Sequence, residues 1–382
     1  VPFASALSEH PVASEAIGEV SGAVLEAIGE RPDLVMVTVT RAHAGALEDI
    51  VGTIGSVLHP LAIVGAAAES VVGTRREIEE TSAISLWAGW IGPLAPVRLT
   101  ATRLADGGWH FDGWPAHLGF EPTALVLVAD PFTFPTSEFL PWLAERRPGL
   151  PVVGGNASGG RGPGGTRLVH KGGVVSDGAS GVLVGAGVDV ETLVSQGCRP
   201  YGDALTVTRS DRNIIYEVAG VPAMECLVGQ ITHHLEPDEV VGIESNGLFV
   251  GRVVDERIGD PSPSDYLVRG VLGVDRATGA VAVDDRVPLG STIRFHRRDA
   301  GTAHRELAQM LEGRQADAGL VFTCNGRGTR LFDEAHHDAR AMARSVGPVP
   351  VGGLFAGGEF GPVGGHNFVH EFTASMALFR SR

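Results

Sequence analysis

Three stretches of the chain repeat one pattern of apolar and polar positions. From Asp33 to Glu69 an apolar run, DLVMVTVTRAH, leads into a segment whose Leu47, Ile50, Val51, Ile54, Val57 and Leu58 share one helical face. Pro60-Leu-Ala-Ile-Val-Gly65-Ala-Ala-Ala-Glu69 then closes the stretch. From Thr123 to Gly160 the order recurs as TALVLVADPF, a short helix around Ser137 to Arg146, and Pro151-Val-Val-Gly154-Gly155-Asn156-Ala-Ser158. From Gly319 to Phe372 it recurs again. Leu320-Val321-Phe322 ends in polar and glycine residues, and Ala335, Ala339, Met342 and Val346 keep helical spacing. A Pro-led run then breaks into glycines carrying Glu359, followed by His366, Asn367 and His370. Short apolar runs that stop at glycine and polar residues are buried strands delivering side chains to loops. Strand, helix, strand and glycine loop predict a βαβ-like unit with its chemistry at the strand ends. Because the three are irregularly spaced, they point to layered α/β architecture and not to a solenoid.

Between these units the pattern changes period. Ala16, Ile17, Val20, Val24, Leu25 and Ile28 form the stripe of an amphipathic helix over 12–29. Alternation predicts strands at 83–88 and 96–103, joined by a loop, with the aromatic loop of Trp109, Phe111 and Trp114 after them as cover for a core edge or an oligomer contact. A meander follows over 166–185, turning at Lys171-Gly172, and then a hairpin over 205–218. Pro222 opens a helix, strands are expected near 247–254, 266–274, 280–283 and 291–297, and a helix carries Ala303, Leu307, Met310 and Leu311. The expected fold class is α/β: two domains of mixed β-sheets flanked by helices, a layered sandwich of βαβ-like units and antiparallel hairpins. The division is placed where hairpin gives way to helix, as an N-terminal domain over 1–220 and a C-terminal domain over 221–382.

Composition narrows the partners. A length of 382 residues suits two domains, and 43% hydrophobic with 20% charged residues is a globular balance. A net charge of -15 argues against nucleic acid or an anionic membrane as partner, since both demand a basic surface. No apolar run approaches the ~18 residues of a membrane helix. The start, VPFASALSEHP, has neither the basic region nor the apolar core of a signal peptide. Cys198, Cys226 and Cys324 are too widely spaced for a disulfide framework or a zinc pattern, so a cytoplasmic location is expected. The Gly154–Gly165 run lacks a Gly-Lys-Ser/Thr ending and a dinucleotide fingerprint, which leaves a lid-like loop.

Several short motifs, in order, resemble the FIST family, named for F-box and intracellular signal transduction, in which a FIST N-terminal and a FIST C-terminal domain are paired. They are Val64-Gly-Ala-Ala-Ala-Glu-Ser70, Val153-Gly-Gly-Asn-Ala-Ser158, Ser195-Gln-Gly-Cys-Arg-Pro200 and Glu217-Val-Ala-Gly-Val-Pro-Ala223. Val321-Phe-Thr-Cys-Asn-Gly-Arg327, Gly353-Leu-Phe-Ala-Gly-Gly-Glu-Phe-Gly361, and His370 ahead of Thr373 complete the set. The resemblance implies a sensory or ligand-binding module for small molecules such as amino acids; one bacterial branch is reported to bind haem and sense nitric oxide. Ala66-Ala67 stand where many members carry Cys and Ser/Thr, which removes polar groups from one loop. With no effector segment in this sequence, the signal is expected to pass by contact, within a homo-oligomer or to a signalling partner.

Ligands of open α/β sheets lie beyond the carboxyl ends of the strands. The residues delivered there are Arg41, His43, Glu69, Ser70, Asp130, Asn156, Ser158, Cys324, Asn325, Arg327 and Glu359, and they are expected to line a site for a small polar ligand. Arg327 offers a planar fork for a ligand's acid group or for Glu359 itself. Cys324, with Glu359 or His370 as base, is the nucleophile of an alternative hydrolase or lyase. His366 and His370 lie on an alternating, strand-like segment, where four residues span roughly 13 Å, so the two cannot share one metal ion. A single histidine there is an axial candidate for haem, the third reading.

Overall fold

The computed structural model describes residues 3–382. The chain forms two compact units that are not consecutive lengths of chain: Val1–Val194 with Ala308–Arg382, and Ser195–Leu307. The position expected to divide the domains, Gly220, lies inside the second unit, between the Ile214–Val218 and Val221–Pro222 strands.

The first unit holds all three βαβ-like repeats. Leu34–Thr40 runs parallel to Ala62–Ala68, Ala124–Ala129 to Val152–Ala157, and Ala318–Cys324 to Val351–Val363. Their connecting helices are Leu47–Leu58, Thr136–Arg146 and His337–Ser345. The recurrence has a cause at the level of single residues. Gly65, Gly154 and Gly353 occupy the same place in the second strand of each repeat, with φ of 156°, 153° and 149°. A Cβ on any of them would stand 1.8, 1.8 or 1.9 Å from the carbonyl oxygen of Val37, Leu127 or Val321, its register partner in the first strand. Only glycine fits there.

These strands enter two sheets. Six strands are ordered Phe3–Ser8, Ile84–Gly89, Leu34–Thr40, Ala62–Ala68, Leu168–His170 and Gly173–Val175. The larger sheet runs from Val188–Ser195 through Ala374–Ser381, Ala318–Cys324, Val351–Val363, Val152–Ala157, Ala124–Ala129, Ala179–Val184 and Leu94–Arg103 to Trp109–Asp112. The sheets face each other across a core of Leu34, Met36, Val64 and Trp87 from one and Val126, Val153, Leu320, Phe322 and Leu354 from the other. Thr38 Oγ1 donates across this interface to Gly353 O at 2.8 Å. Helices Ala13–Ile28 and Leu47–Leu58 cover the outer face of the smaller sheet, and Thr136–Arg146 covers that of the larger. The unit is therefore a helix, sheet, sheet, helix sandwich, as layered α/β patterning requires. Phe111 of the aromatic loop packs on Phe134, Phe139 and Trp142 and closes one edge of that outer core.

The thirteen-residue strand Val351–Val363 organises the larger sheet. One edge takes Ala318–Cys324 and then His366–His370; the other takes Ser70–Gly73 and then Val152–Ala157. Segments far apart in sequence thus meet at its middle, where Gly357 is the one exposed residue of a run buried from Val351 to Gly361.

The second unit is antiparallel throughout its sheet. Cys198–Asp211, Thr292–Arg298, Leu248–Val253, Tyr266–Asp275, Ala280–Val283 and Ile214–Val218 pair in that order, and the last returns to the first to close a barrel. Tyr201, Val207, Ile215, Val250, Val281, Ile293 and Phe295 fill it together with Leu227 of the Ala223–His234 helix. The three repeats thus gather in one unit, while the hairpins between Ser195 and Leu307 close on themselves. Strands buried on both faces need a partner sheet, whereas a closed barrel satisfies its own edges.

Candidate functional site

Three strand ends of the first unit converge. Arg41 follows the Leu34–Thr40 strand, Glu69 follows Ala62–Ala68, and Ser158 follows Val152–Ala157. Arg41 donates through Nε to Gly159 O at 3.1 Å and through Nη2 to Ser158 O at 2.9 Å, and its Nη2 lies 3.8 Å from Glu69. The Ser158 hydroxyl accepts from Glu69 N at 2.8 Å and donates to Phe355 O at 2.6 Å. The third repeat adds Asn325, whose N–H reaches Ala356 O at 3.0 Å, while Asn156 Nδ2 reaches Gly357 O at 3.4 Å. Beside them is a cavity of about 280 Å³ lined by Thr40, Arg41, Ala42, Glu69, Glu80, Thr81 and Arg161.

Arg330 completes the cluster. It donates to Glu69 at 2.8 Å and Glu80 at 2.6 Å through Nη2, and to Asn325 O at 3.1 Å through Nη1. Nothing local in the sequence marks it, because the partners that give it a place lie 261 and 250 residues away. Its one signal is position, in the same glycine loop as Arg327.

The other expected residues are placed elsewhere. Arg327 is fully buried and gives its fork to Asp338, through Nε and Nη2 at 2.8 Å each, and not to Glu359. Asp338 stands eleven residues on, at the start of a helix, where no apolar pattern singles it out. His43 turns away to His10 O at 3.1 Å, and Ser70 Oγ accepts Glu80 N at 3.2 Å. Asp130 is buried and takes the hydroxyls of Thr133 and Thr166, pinning the far end of the glycine run. Cys324 is 9% exposed and its sulfur accepts Gly326 N at 3.4 Å. Its own N–H goes to Thr373 O, and Thr373 in turn donates to Glu359 through N at 3.1 Å and Oγ1 at 2.9 Å. His370 lies opposite Glu359 in register, with Nε2 on Gly361 O at 3.0 Å. Cys324, Glu359 and His370 are thus neighbours in the sheet, each held by main-chain or threonine partners.

The model of the FIST N domain matches residues 33–221, and that of the FIST C domain matches 224–362. The chain belongs to the FIST family. Similar relatives include the uncharacterized protein Mb0898c of Mycobacterium bovis, 38% identical over 381 residues, with 97% of this chain and 96% of that protein covered. Another is the uncharacterized protein Rv0628c of Mycobacterium tuberculosis, 37% identical over 364 residues and covered to 93% on both sides. FIST domains are associated with signal transduction and sensing. The cavity is lined wholly by the FIST N domain, and Arg330, which ties two of its carboxylates together, comes from the FIST C domain.

The FIST C domain also buries an ionisable network. Burial alone would push the Asp338 carboxyl up, but the Arg327 guanidinium and His337, 2.8 Å from Oδ1, hold it well below the usual range. Thr323 Oγ1 adds a 2.6 Å bond. Glu77, on the hairpin from the FIST N domain, accepts Ala339 N at 2.9 Å; burial first, and the charge of Asp338 second, push it up to about 8. Burial pushes Glu359 up to about 8 as well, against the pull of Thr373, and its Oε1 has no partner among the described residues. Both shifts favour the neutral acid.

His370, the axial candidate for haem, is fully buried with Nε2 on Gly361 O at 3.0 Å, and the strand-end cavity is lined by no histidine. Among the described residues no group of three or more His, Cys, Asp or Glu is placed to hold a metal ion. No described helix is long and apolar enough to cross a membrane.

Proposed function

We propose that this FIST protein binds a small polar ligand in the strand-end cavity and signals its occupancy to a protein partner by contact. The observation that carries the reading is the bridge from Arg330 of the FIST C domain to Glu69 and Glu80 on the cavity wall of the FIST N domain. A ligand that engages either carboxylate competes with Arg330, so occupancy and the pairing of the two domains share one set of charges. That is the differential contact a two-state sensor requires. At about 280 Å³ the cavity has room for roughly nine waters at about 30 Å³ each, which limits the ligand to a small molecule. The absence of a disulfide among the described residues accords with action in the cytoplasm.

Native mass spectrometry of the purified protein, compared with its denatured mass, tests the reading. A retained small molecule, lost from the Arg41→Ala and Glu69→Ala variants and held more weakly by Arg330→Ala, is the expected result. A retained molecule unaffected by all three variants would refute the cavity as its site. An empty protein is then titrated with a library of polar metabolites by thermal shift, where a ligand at about 100 times its Kd adds about 2.7 kcal/mol; no stabilising compound would refute the function.

A further inference from the structure

Resting on that reading, we infer that the ligand is a guanidino acid, a guanidinium and a carboxylate on one small molecule, and that Arg330 occupies the seat its guanidinium takes. The four charged side chains that line the cavity, Arg41, Arg161, Glu69 and Glu80, sum to zero, so the wall selects no net charge. It selects an arrangement of donors. Arg330 presents two nitrogens to three acceptors: Nη2 lies 2.8 Å from Glu69 Oε1 and 2.6 Å from Glu80 Oε1, and Nη1 lies 3.1 Å from Asn325 O. An ammonium is a point charge on one nitrogen. Seated between the two carboxylates, it leaves Asn325 O without the second donor that a planar guanidinium supplies. The bridge is 48% exposed at Arg330 and 59% at Glu80, so it can open without unpacking the core.

Charge pairing decides what else the ligand carries. A guanidinium that replaces Arg330 between Glu69 and Glu80 frees the Arg330 side chain, which then needs a counter-charge. A carboxylate on the same ligand supplies it, and its two oxygens match the freed fork. The zwitterion is inserted into an existing ion pair, so every charge is paired before and after. A plain cation leaves Arg330 without a partner, and a plain anion offers Glu69 and Glu80 nothing and leaves the bridge closed. The exchange trades an exposed pair, which water screens, for a pair at the cavity, which water screens less. Arg330 therefore opposes a plain cation and assists a guanidino acid.

The test is an NMR-detected titration of the intact protein in low-salt buffer. The probes are guanidinoacetate, 3-guanidinopropanoate and 4-guanidinobutanoate, their amino counterparts glycine, 3-aminopropanoate and 4-aminobutanoate, and the singly charged butylguanidinium and butanoate. At least one guanidino acid is expected to saturate, with its amino counterpart and both singly charged probes at least about tenfold weaker, the loss of one charge-assisted hydrogen bond. Glu80→Gln is expected to weaken that guanidino acid by at least about tenfold for the same reason, and Arg276→Gln, an exposed arginine of the other unit, to leave it unchanged. Arg330→Ala is expected to weaken the guanidino acid and to strengthen butylguanidinium, opposite signs that a merely structural role would not give. Equal binding of guanidino and amino acids, an unchanged Kd in Glu80→Gln, or a shift of both guanidinium probes in one direction in Arg330→Ala would each overturn the inference while leaving the cavity as a ligand site. Failure of every probe would overturn it too, and the proposed function would then stand or fall separately, on its own native mass spectra and thermal shifts.

Discussion

Replacing Glu359 by glutamine should stabilise the protein, and do so in a pH-dependent way. The carboxyl is fully buried, its Oε2 takes both donors of Thr373, and its Oε1 has no partner among the described residues. Burial raises it from the ordinary 4.5 to about 8. In the unfolded chain the group ionises near its ordinary value, so between the two values the folded state holds a proton that the unfolded state has released. Stability from this group is present in full below the unfolded value and is lost as pH rises through the folded one. One pH unit inside the window corresponds to about 1.4 kcal/mol, which puts the cost at pH 7 at roughly 3 kcal/mol on the same scale. Glutamine keeps an oxygen for Thr373 and never ionises. Urea unfolding at pH 5, 6, 7 and 8, followed by tryptophan fluorescence, measures the difference in the right unit, because all five tryptophans lie in the two-sheet unit. Glu77, raised to about 8 beside Asp338, is present in both proteins and cancels. Glu359→Gln is expected to match wild type near pH 5 and to exceed it by about 3 kcal/mol at pH 7. A difference independent of pH, or a variant less stable at pH 7, would refute a buried neutral acid at this position.

Other outcomes follow from the same geometry. Arg327→Ala leaves the buried Asp338 without its guanidinium, held by His337 and Thr323 alone, so unfolding free energy should fall, by at most about 3–5 kcal/mol; a stable variant with altered ligand binding would instead make Arg327 a ligand contact. Arg330→Ala removes a half-exposed bridge worth about 0–1 kcal/mol in stability, so its unfolding midpoint should barely move while ligand affinity changes. Gly154→Ala would drive a Cβ to 1.8 Å from Leu127 O, and soluble expression of a folded protein with unchanged circular dichroism would contradict that constraint. Cys324, 9% exposed, should react with iodoacetamide more slowly than a free thiol, and an accelerated rate would reopen the nucleophile reading.

The sequence by itself determined the elements and their type. All three strand, helix, strand repeats, the turn at Lys171-Gly172 and the helix opened by Pro222 are where hydrophobic period and turn residues place them. These signals are local, acting over a few residues of one strand or one helical face. The family order of motifs was legible for the same reason, since each motif is a short strand-end loop. Arg41, Glu69, Ser158 and Asn325 were readable as strand-end loop residues because a strand end names its own loop.

Only the tertiary structure decided which loops meet. That Val351–Val363 takes Ser70–Gly73 and Val152–Ala157 on one edge is a matter of main-chain hydrogen bonds, which every residue type offers and no side-chain pattern specifies. The division into a two-sheet unit and a closed barrel follows from those pairings, as does the role of Arg330. Arg327 and Arg330 have the same chemistry three positions apart in one loop. One is sealed against Asp338 inside the protein and the other reaches Glu69 and Glu80 beside the cavity. Charge and spacing could not separate them, because the carboxylate that captures each guanidinium is chosen by the folded chain's geometry and not by distance along the sequence.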